Sequence, residues 1–170
     1  MDILKTAIDW AKAEVFSSQF FIFFGILFVL GTIGFWQLGK TELAKAFIFP
    51  TLVAGILLLA IGLGLLFTNK ARTTDFATAY NSDPSDFVKS EIANTEKIIG
   101  EYRTIVFKII PVIIVGAALL LIFVDKPSWR AISITTIALM VVILFIDSNA
   151  YERVKAYNQQ LISVEKNLDN

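Results

Sequence analysis

Four long apolar runs constrain this chain more than any other feature of its sequence. They cover residues 16–36, 46–67, 105–124 and 130–147. Because a bilayer core about 30 Å thick requires roughly 20 apolar residues in a helix, each run is close to the length that crosses a membrane. Hydrophobic residues make up 56% of the chain, against about 45–50% in soluble domains. The sequence therefore predicts an all-α membrane protein with four transmembrane helices.

The lengths of the connections predict how these helices are arranged. Residues 37–45 and 125–129 form short connections, so the first helix pairs antiparallel with the second, and the third with the fourth. The result is a bundle of two helical hairpins. The middle connection, residues 68–104, is long and polar. An even number of spans then places residues 1–15, residues 68–104 and residues 148–170 on the same side of the membrane.

The distribution of positive charge predicts which side this is. Lysines and arginines near the ends of spans favour the cytoplasm. Four lie on the side of the short connections, and ten lie on the side that carries most of the extramembrane chain, namely Lys5, Lys12, Lys70, Arg72, Lys89, Lys97, Arg103, Arg153, Lys155 and Lys166. We therefore expect a multi-pass protein of a bacterial-type inner membrane, with both termini in the cytoplasm.

The polar segments carry helical patterns of their own. Residues 1–15 have one apolar stripe, which predicts an amphipathic helix that either lies in the membrane interface or packs along its neighbours. Asp83 and Pro84 are typical of a helix start, and we predict a helix over residues 84–103. Apolar residues then recur every three or four positions at Val88, Ile92, Thr95, Ile99 and Tyr102, and again at Val154, Tyr157, Leu161, Val164 and Leu168.

This second repeat predicts an amphipathic helix over residues 148–170. A spacing of about 3.5 residues is that of a coiled-coil seam. Because the third and fourth spans form a hairpin, their extensions begin side by side. The two extensions therefore either pair with each other as a short stalk or pair between subunits. We also expect the third span to be bent locally near Pro111.

Two charged residues lie within or at the end of the apolar runs. Lys108 is inside the third run, and Asp147 ends the fourth at the same membrane face. An ion pair between them would lower the free-energy cost of placing both charges at this depth in the membrane. The pair would act as a structural anchor, or as part of a proton or ion relay. Alternatively, Lys108 extends its side chain to the headgroups without a partner.

Hydroxyl and small residues are the remaining features of the apolar runs. Ser133, Thr135 and Thr136 could line a polar pathway, although hydroxyls such as these and those of Thr32 and Thr51 usually bond to their own backbone or to a neighbouring helix. Ala60 and Gly64 form a small-xxx-small pair that permits close helix packing, within the chain or between copies.

The residues that most catalytic and metal sites require are absent from the sequence. The chain contains no cysteine and no histidine, which removes thiolate chemistry, the commonest general base and the commonest metal ligand. Its net charge is zero, and no basic patch indicates nucleic-acid binding. We therefore predict no catalytic residues, no metal, no cofactor and no nucleic-acid partner.

Three functions remain open from the sequence. The first is a non-enzymatic role as a structural or interaction protein that docks a membrane or cytoplasmic partner through the helices over residues 84–103 and 148–168. The second is a small homo-oligomeric channel or transporter with a pathway lined by the hydroxyl residues of the fourth span. The third is a membrane enzyme, for which no catalytic constellation is visible.

Overall fold

The computed structural model describes residues 2–168 and contains helices throughout that range, joined by short connections. The helices are α1 (Ile3–Leu38), α2 (Glu42–Ala46), α3 (Ile48–Ser82), α4 (Pro84–Thr104), a π-helical turn (Ile105–Ile109), α5 (Ile110–Phe123) and α6 (Pro127–Leu168). Four continuous helical segments are long and apolar enough to cross a membrane. The predicted all-α architecture of a four-helix membrane bundle is confirmed, and the chain is a multi-pass membrane protein.

The helices continue out of the apolar runs into the polar segments. Helix α1 joins residues 3–15 to the first run without a break, and α6 continues the fourth run to Leu168. Helix α3 extends as far as Ser82, so residues 68–82 are helical although the sequence suggested only a polar connection there. No glycine or proline interrupts the chain between Leu65 and Asp83, and the helix ends only where Pro84 disfavours a helical residue before it.

The start of α4 is the one predicted from the sequence. The Asp83 carboxylate accepts hydrogen bonds from the backbone N–H groups of Ser85, at 2.9 Å, and Asp86, at 3.0 Å. Pro84 occupies the first turn, where a missing N–H has no cost. Asp83 itself has an extended backbone, with φ −152° and ψ 102°, and therefore separates α3 from α4.

The distortion predicted near Pro111 takes the form of the π-helical turn. A proline cannot donate to the carbonyl four residues earlier, and its ring collides with that carbonyl in a regular α-helix. The turn at Ile105–Ile109 lies directly before α5, which has Pro111 in its first turn. Helix α4 packs against both α3 and α6, whereas α5 packs against α6. Within the described residues, no Cα atom of α5 lies within 8 Å of one in α3 or α1. The bundle is therefore open between α3 and α5.

We call the segments 3–15, 68–82, 84–104 and 148–168 the polar half, and these segments share one core. All four contribute buried side chains: Ile3, Ala7, Trp10 and Ala11; Phe76; Phe87 and Val88; Val154, Tyr157 and Leu161. The Trp10 ring stacks on the Tyr157 ring at 4.8 Å between centroids. The N-terminal segment thus packs along its neighbours, and α4 pairs with α6 within the chain, as part of a four-helix bundle rather than a two-helix stalk.

A few residues of the predicted terminal segments are not among those described. These are Met1, Asp169 and Asn170, and the side chains of Asn167 and Leu168 are likewise outside the described part of the chain. The remaining stripe positions on α4 and α6 face the core or pack against it.

We call the rest of the bundle, formed by residues 16–67 and 105–147, the apolar half. In it, α1 and α3 approach closely through glycines. A Cβ added at Gly62 would lie 2.9 Å from the backbone nitrogen of Ile22, and one at Gly55 would lie 3.1 Å from the carbonyl oxygen of Gly25. The hydroxyls of Thr32 and Thr51 meet across this interface at 2.9 Å and also bond to their own helices. Glycine at these positions therefore lets the two backbones come into contact.

Candidate functional site

A cavity of about 350 Å³ lies inside the bundle where the polar half meets the apolar half. We call it the boundary cavity. Its apolar wall includes Phe21, Ile61, Leu65, Val106 and Ile143, and its polar wall includes Glu14, Asn69, Arg72, Glu101, Tyr102 and Asp147. Its volume falls within the range of about 300–1,000 Å³ that is common for small-molecule pockets. It is the concave site at which polar groups from all four long helices converge.

The Glu14 carboxylate anchors one wall of the boundary cavity. Arg153 on α6 donates from Nε to Glu14 Oε1 at 3.0 Å and from Nη2 to the Ser17 hydroxyl at 2.6 Å. Burial raises the pKa of Glu14, and the hydrogen bond and charge of Arg153, with the charge of Arg72, oppose this rise. The pair joins the first and last helices of the chain just outside the apolar run.

Arg72 on α3 also lines the cavity and is held there by two weaker contacts. Its guanidinium lies 5.5 Å from the centre of the Trp10 ring, in a cation–π arrangement. Its Nη1 donates to Asn69 Oδ1 at 3.3 Å. The arginine therefore has no carboxylate within ion-pair distance among the described residues, and its charge acts on Glu14 and Glu91 only through space.

A second polar layer lies within the core of the polar half, away from the membrane. The Tyr157 hydroxyl donates to Glu91 Oε2 at 3.3 Å, and Asn158 Nδ2 donates to the Thr95 hydroxyl at 2.8 Å. Both bonds join α4 to α6. Thr95 belongs to the apolar repeat of α4, and Tyr157 belongs to the repeat of α6. The two hydrogen bonds therefore fix which positions of the two helices face each other.

The ion pair predicted between Lys108 and Asp147 is not found. No ion pair within 4 Å joins them among the described residues. Val106 and Ile110 face the interior, and Lys108, two residues from each, points to the opposite, exposed side of the helix. The alternative in which Lys108 extends outward without a partner agrees with this placement, and Asp147 faces the boundary cavity instead.

The hydroxyl residues of the fourth run do not lie on an open surface. Ser133 is 1% exposed and Thr135 is 5% exposed, and Thr136 is half-buried. The hydroxyls of Ser133 and Thr135 have no hydrogen-bond partner in the described part of the chain, contrary to the bonding expected of them. None of the three lines the boundary cavity.

The small-residue pair predicted to mediate packing faces outward. Ala60 and Gly64 are both exposed, and a Cβ added at Gly64 would meet nothing within 4 Å. Packing of α3 against α1 uses Gly55 and Gly62 instead. The two sets lie on different faces of one helix because the buried series on α3 runs through Thr51, Gly55, Leu58 and Gly62. The prediction that Ala60 and Gly64 mediate packing within the chain is therefore wrong. That they mediate packing between copies of the chain stays a prediction.

The outer faces of α4 and α6 form a second candidate site. We call this the α4–α6 surface, defined by the exposed residues Lys89, Glu96, Lys97, Arg103, Glu152, Lys155 and Gln159. It carries both signs of charge, and the ion pair between Lys97 and Glu101, at 4.0 Å, is solvent-exposed. A mixed, solvated surface on two rigidly packed helices is available for contact with another protein.

Sequence reasoning missed most of the residues that line the boundary cavity. Glu14 and Ser17 continue the buried series Ile3, Ala7 and Trp10 at spacings of three and four. A polar residue on an otherwise buried stripe was therefore the available signal. Arg72 gave no such signal, because residues 68–82 were not assigned to a helix.

No protein-family model, curated protein or solved structure matches this chain. Within residues 2–168, no group of three or more acidic residues is placed to hold a metal ion.

The contact between Glu14 and Arg153 leads to a prediction about stability. Replacing either residue alone leaves the other, partly buried, without its counter-charge, whereas replacing both removes the two charges together. In a double-mutant cycle with Glu14→Gln and Arg153→Met, we expect the double variant to lose less stability than the sum of the single variants, with a coupling of at least about 1 kcal/mol. Thermal unfolding of the four proteins in detergent measures this, and strict additivity would contradict the contact.

The burial of Glu91 leads to a prediction about pH. Burial raises the pKa of Glu91 above its ordinary value of 4.5, and the charge of Arg72 and hydrogen bonds from Tyr157 and Asn94 oppose the rise. Because the folded state then keeps a proton that the unfolded state has lost, stability falls as pH rises from about 4.5 through the raised pKa. Glu91→Gln should therefore gain melting temperature relative to the unmodified protein as the pH increases, and a constant difference across this range would contradict the raised pKa.

Proposed function

We propose that this protein is a non-enzymatic, membrane-anchored interaction protein that docks a partner through the α4–α6 surface. The observation that carries the proposal is the shared core of the polar half, which holds α4 and α6 rigidly as continuations of membrane-spanning helices. A preformed surface binds a partner without the entropy cost of ordering a flexible tail. The surface begins within about two turns of the apolar runs, at Arg103 and Glu152, and extends to Lys89 and Gln159, about three to four helical turns away. This leaves it accessible to a soluble partner or to the extramembrane part of another membrane protein.

The proposal includes the cytoplasmic side of a bacterial-type inner membrane as the location of the polar half. The excess of lysine and arginine on this side supports it. Reporter fusions test it: a fusion at Asn81 or Asn170 should report the cytoplasm, and one at Thr41 the opposite side. A cytoplasmic signal at Thr41 would reverse the orientation while leaving the fold unchanged.

The placement of the fourth run's hydroxyls does not favour a channel between copies. Such a pathway would require Ser133 and Thr135 on an outer face, and both are buried. We therefore keep the interaction function as the single proposal.

Site-specific photocrosslinking tests the docking surface. A photoreactive residue is placed at Lys97 or Gln159, both on the α4–α6 surface, and as a control at Lys5, which is exposed on α1. We expect a crosslinked product of one defined mass from the first two positions and none from the control, in native membranes. Identical products from all three positions, or none from any, would contradict docking through this surface.

A further inference from the structure

The boundary cavity has its mouth at membrane depth. Ile61 and Leu65 on α3 are 39% and 40% exposed, and Ile105 in the π-helical turn is 50% exposed, although all three line the cavity. They lie on α3 and on the π-helical turn that leads into α5, and no Cα atom of α5 lies within 8 Å of one in α3 in the described structure. A molecule dissolved in the lipid can therefore reach the cavity laterally, between two helices, past an apolar rim.

One carboxylate of the cavity wall has no partner. Glu14 is bonded to Arg153, the exposed Glu101 is paired with Lys97, and the Arg72 guanidinium lies over the Trp10 ring. The carboxylate of Asp147, which also lines the cavity, has no hydrogen bond and no ion pair within the part of the chain that the structure describes. A carboxylate in a partly enclosed site is costly without a counter-charge, and a bound cation would supply one.

The remaining walls are suited to an organic cation rather than a metal ion. Phe21 and Tyr102 contribute aromatic side chains to the lining, and Trp10 adds a ring over which the Arg72 guanidinium already lies. Aromatic faces attract organic ammonium groups. Most of the other lining residues are aliphatic, and no cluster of metal ligands exists among residues 2–168. A charged head with an apolar body therefore matches both the wall chemistry and the lateral entrance.

We infer that the boundary cavity is a binding site for an amphiphilic organic cation, whose ammonium group lies beside Asp147 and whose apolar body lies against Phe21, Ile61 and Leu65. The ligand enters from the lipid through the gap between α3 and α5. This site is separate from the α4–α6 surface. A negative result for cation binding would therefore leave the docking proposal unaffected, and a negative result for docking would leave the cation site unaffected.

Calorimetric titration of the purified full chain in detergent tests the inference. The probe is tetraphenylphosphonium, and tetraphenylborate, of the same shape and opposite charge, is the control. Titration into protein-free micelles is subtracted from both. We expect saturable binding of the cation with one site per chain, and no saturable binding of the anion. Absence of saturable cation binding, or equal binding of the two ions, would overturn the inference.

Two variants locate the binding to this cavity. Asp147→Asn keeps the size of the side chain and removes its charge, and should weaken binding of the cation by about tenfold or more. Leu65→Trp narrows the mouth at an exposed position, where the fold tolerates a larger side chain, and should also weaken binding. Asp86→Asn, at an exposed position outside the cavity, is the control and should bind as the unmodified protein does. Unchanged affinity in both cavity variants would overturn the assignment to this cavity.

A competition measurement identifies the source of the ammonium group. Phosphatidylethanolamine carries an ammonium headgroup, and phosphatidylglycerol does not. Displacement of tetraphenylphosphonium by the first lipid alone supports the inference with a lipid as the ligand. Retention of the probe in the presence of either lipid supports it with a free amphiphilic amine as the ligand. Displacement by phosphatidylglycerol, with or without displacement by the first lipid, would contradict a cation site.

Discussion

Replacing Leu161 with aspartate is expected to destabilise the protein severely, because it introduces a charge into the core of the polar half. Leu161 is fully buried there, and losing a buried leucine side chain costs about 2–5 kcal/mol even before a charge is introduced. The unpaired carboxylate adds a desolvation cost. A decrease in melting temperature on the order of 10 °C is expected in detergent.

Gln159→Asp is the matched control for this variant. Gln159 lies two residues away on the same helix and is exposed, so the same new charge meets solvent and should change stability by less than about 0.5 kcal/mol. Equal losses from the two variants would mean that the end of α6 is not packed against the other helices.

Replacing Gly62 with alanine is expected to have the next-largest effect, smaller than that of Leu161→Asp. The added methyl group would lie 2.9 Å from the Ile22 nitrogen and 2.9 Å from the Phe21 Cβ. A backbone atom cannot move aside as a flexible side chain can, so α1 and α3 must separate. Overpacking of this kind costs about 1–3 kcal/mol. Thermal unfolding in detergent measures the loss.

Gly64→Ala is the control, since it introduces the same methyl group into open space on the same helix. Removing a glycine from a helix favours the helix by about 0.5–1 kcal/mol, so this variant should be neutral or slightly stabilising. A loss of stability in Gly64→Ala as large as that in Gly62→Ala would contradict the packing of α3 on α1 and would favour a role for Gly64 at a contact between copies.

Much of the architecture could be predicted because lipid imposes a strict rule on sequence. A span requires a long apolar run, so the four membrane helices and the short connections were visible without any structure. The start of α4 was visible because Asp83 and Pro84 have one favourable arrangement at a helix N-terminus. The stripes on α4 and α6 were visible because a buried seam has a period close to that of the helix.

The arrangement of the polar half could not be predicted in the same way. Residues 68–82 contain polar residues on most faces, with Phe76 and Tyr80 as the main apolar signal, so their helical state depends on packing against α1 and α4 rather than on pattern. The position of Lys108 depended on which face of the third span meets α6, and two buried neighbours, Val106 and Ile110, decide that. The boundary cavity depended on how side chains from four separate helical segments come together in space, which leaves no signature in composition.

Amide hydrogen exchange of the full chain tests most directly whether the polar half is a folded bundle continuous with the membrane helices. Residues 68–82, 84–104 and 148–161 lie outside the apolar runs, so they have no lipid to protect them, and slow exchange there requires stable packing. We predict slow exchange in all three segments, with the Leu161→Asp variant losing protection in all three together while the apolar runs stay protected. Fast exchange of residues 68–82 and 148–161 in the unmodified protein would contradict the folded bundle.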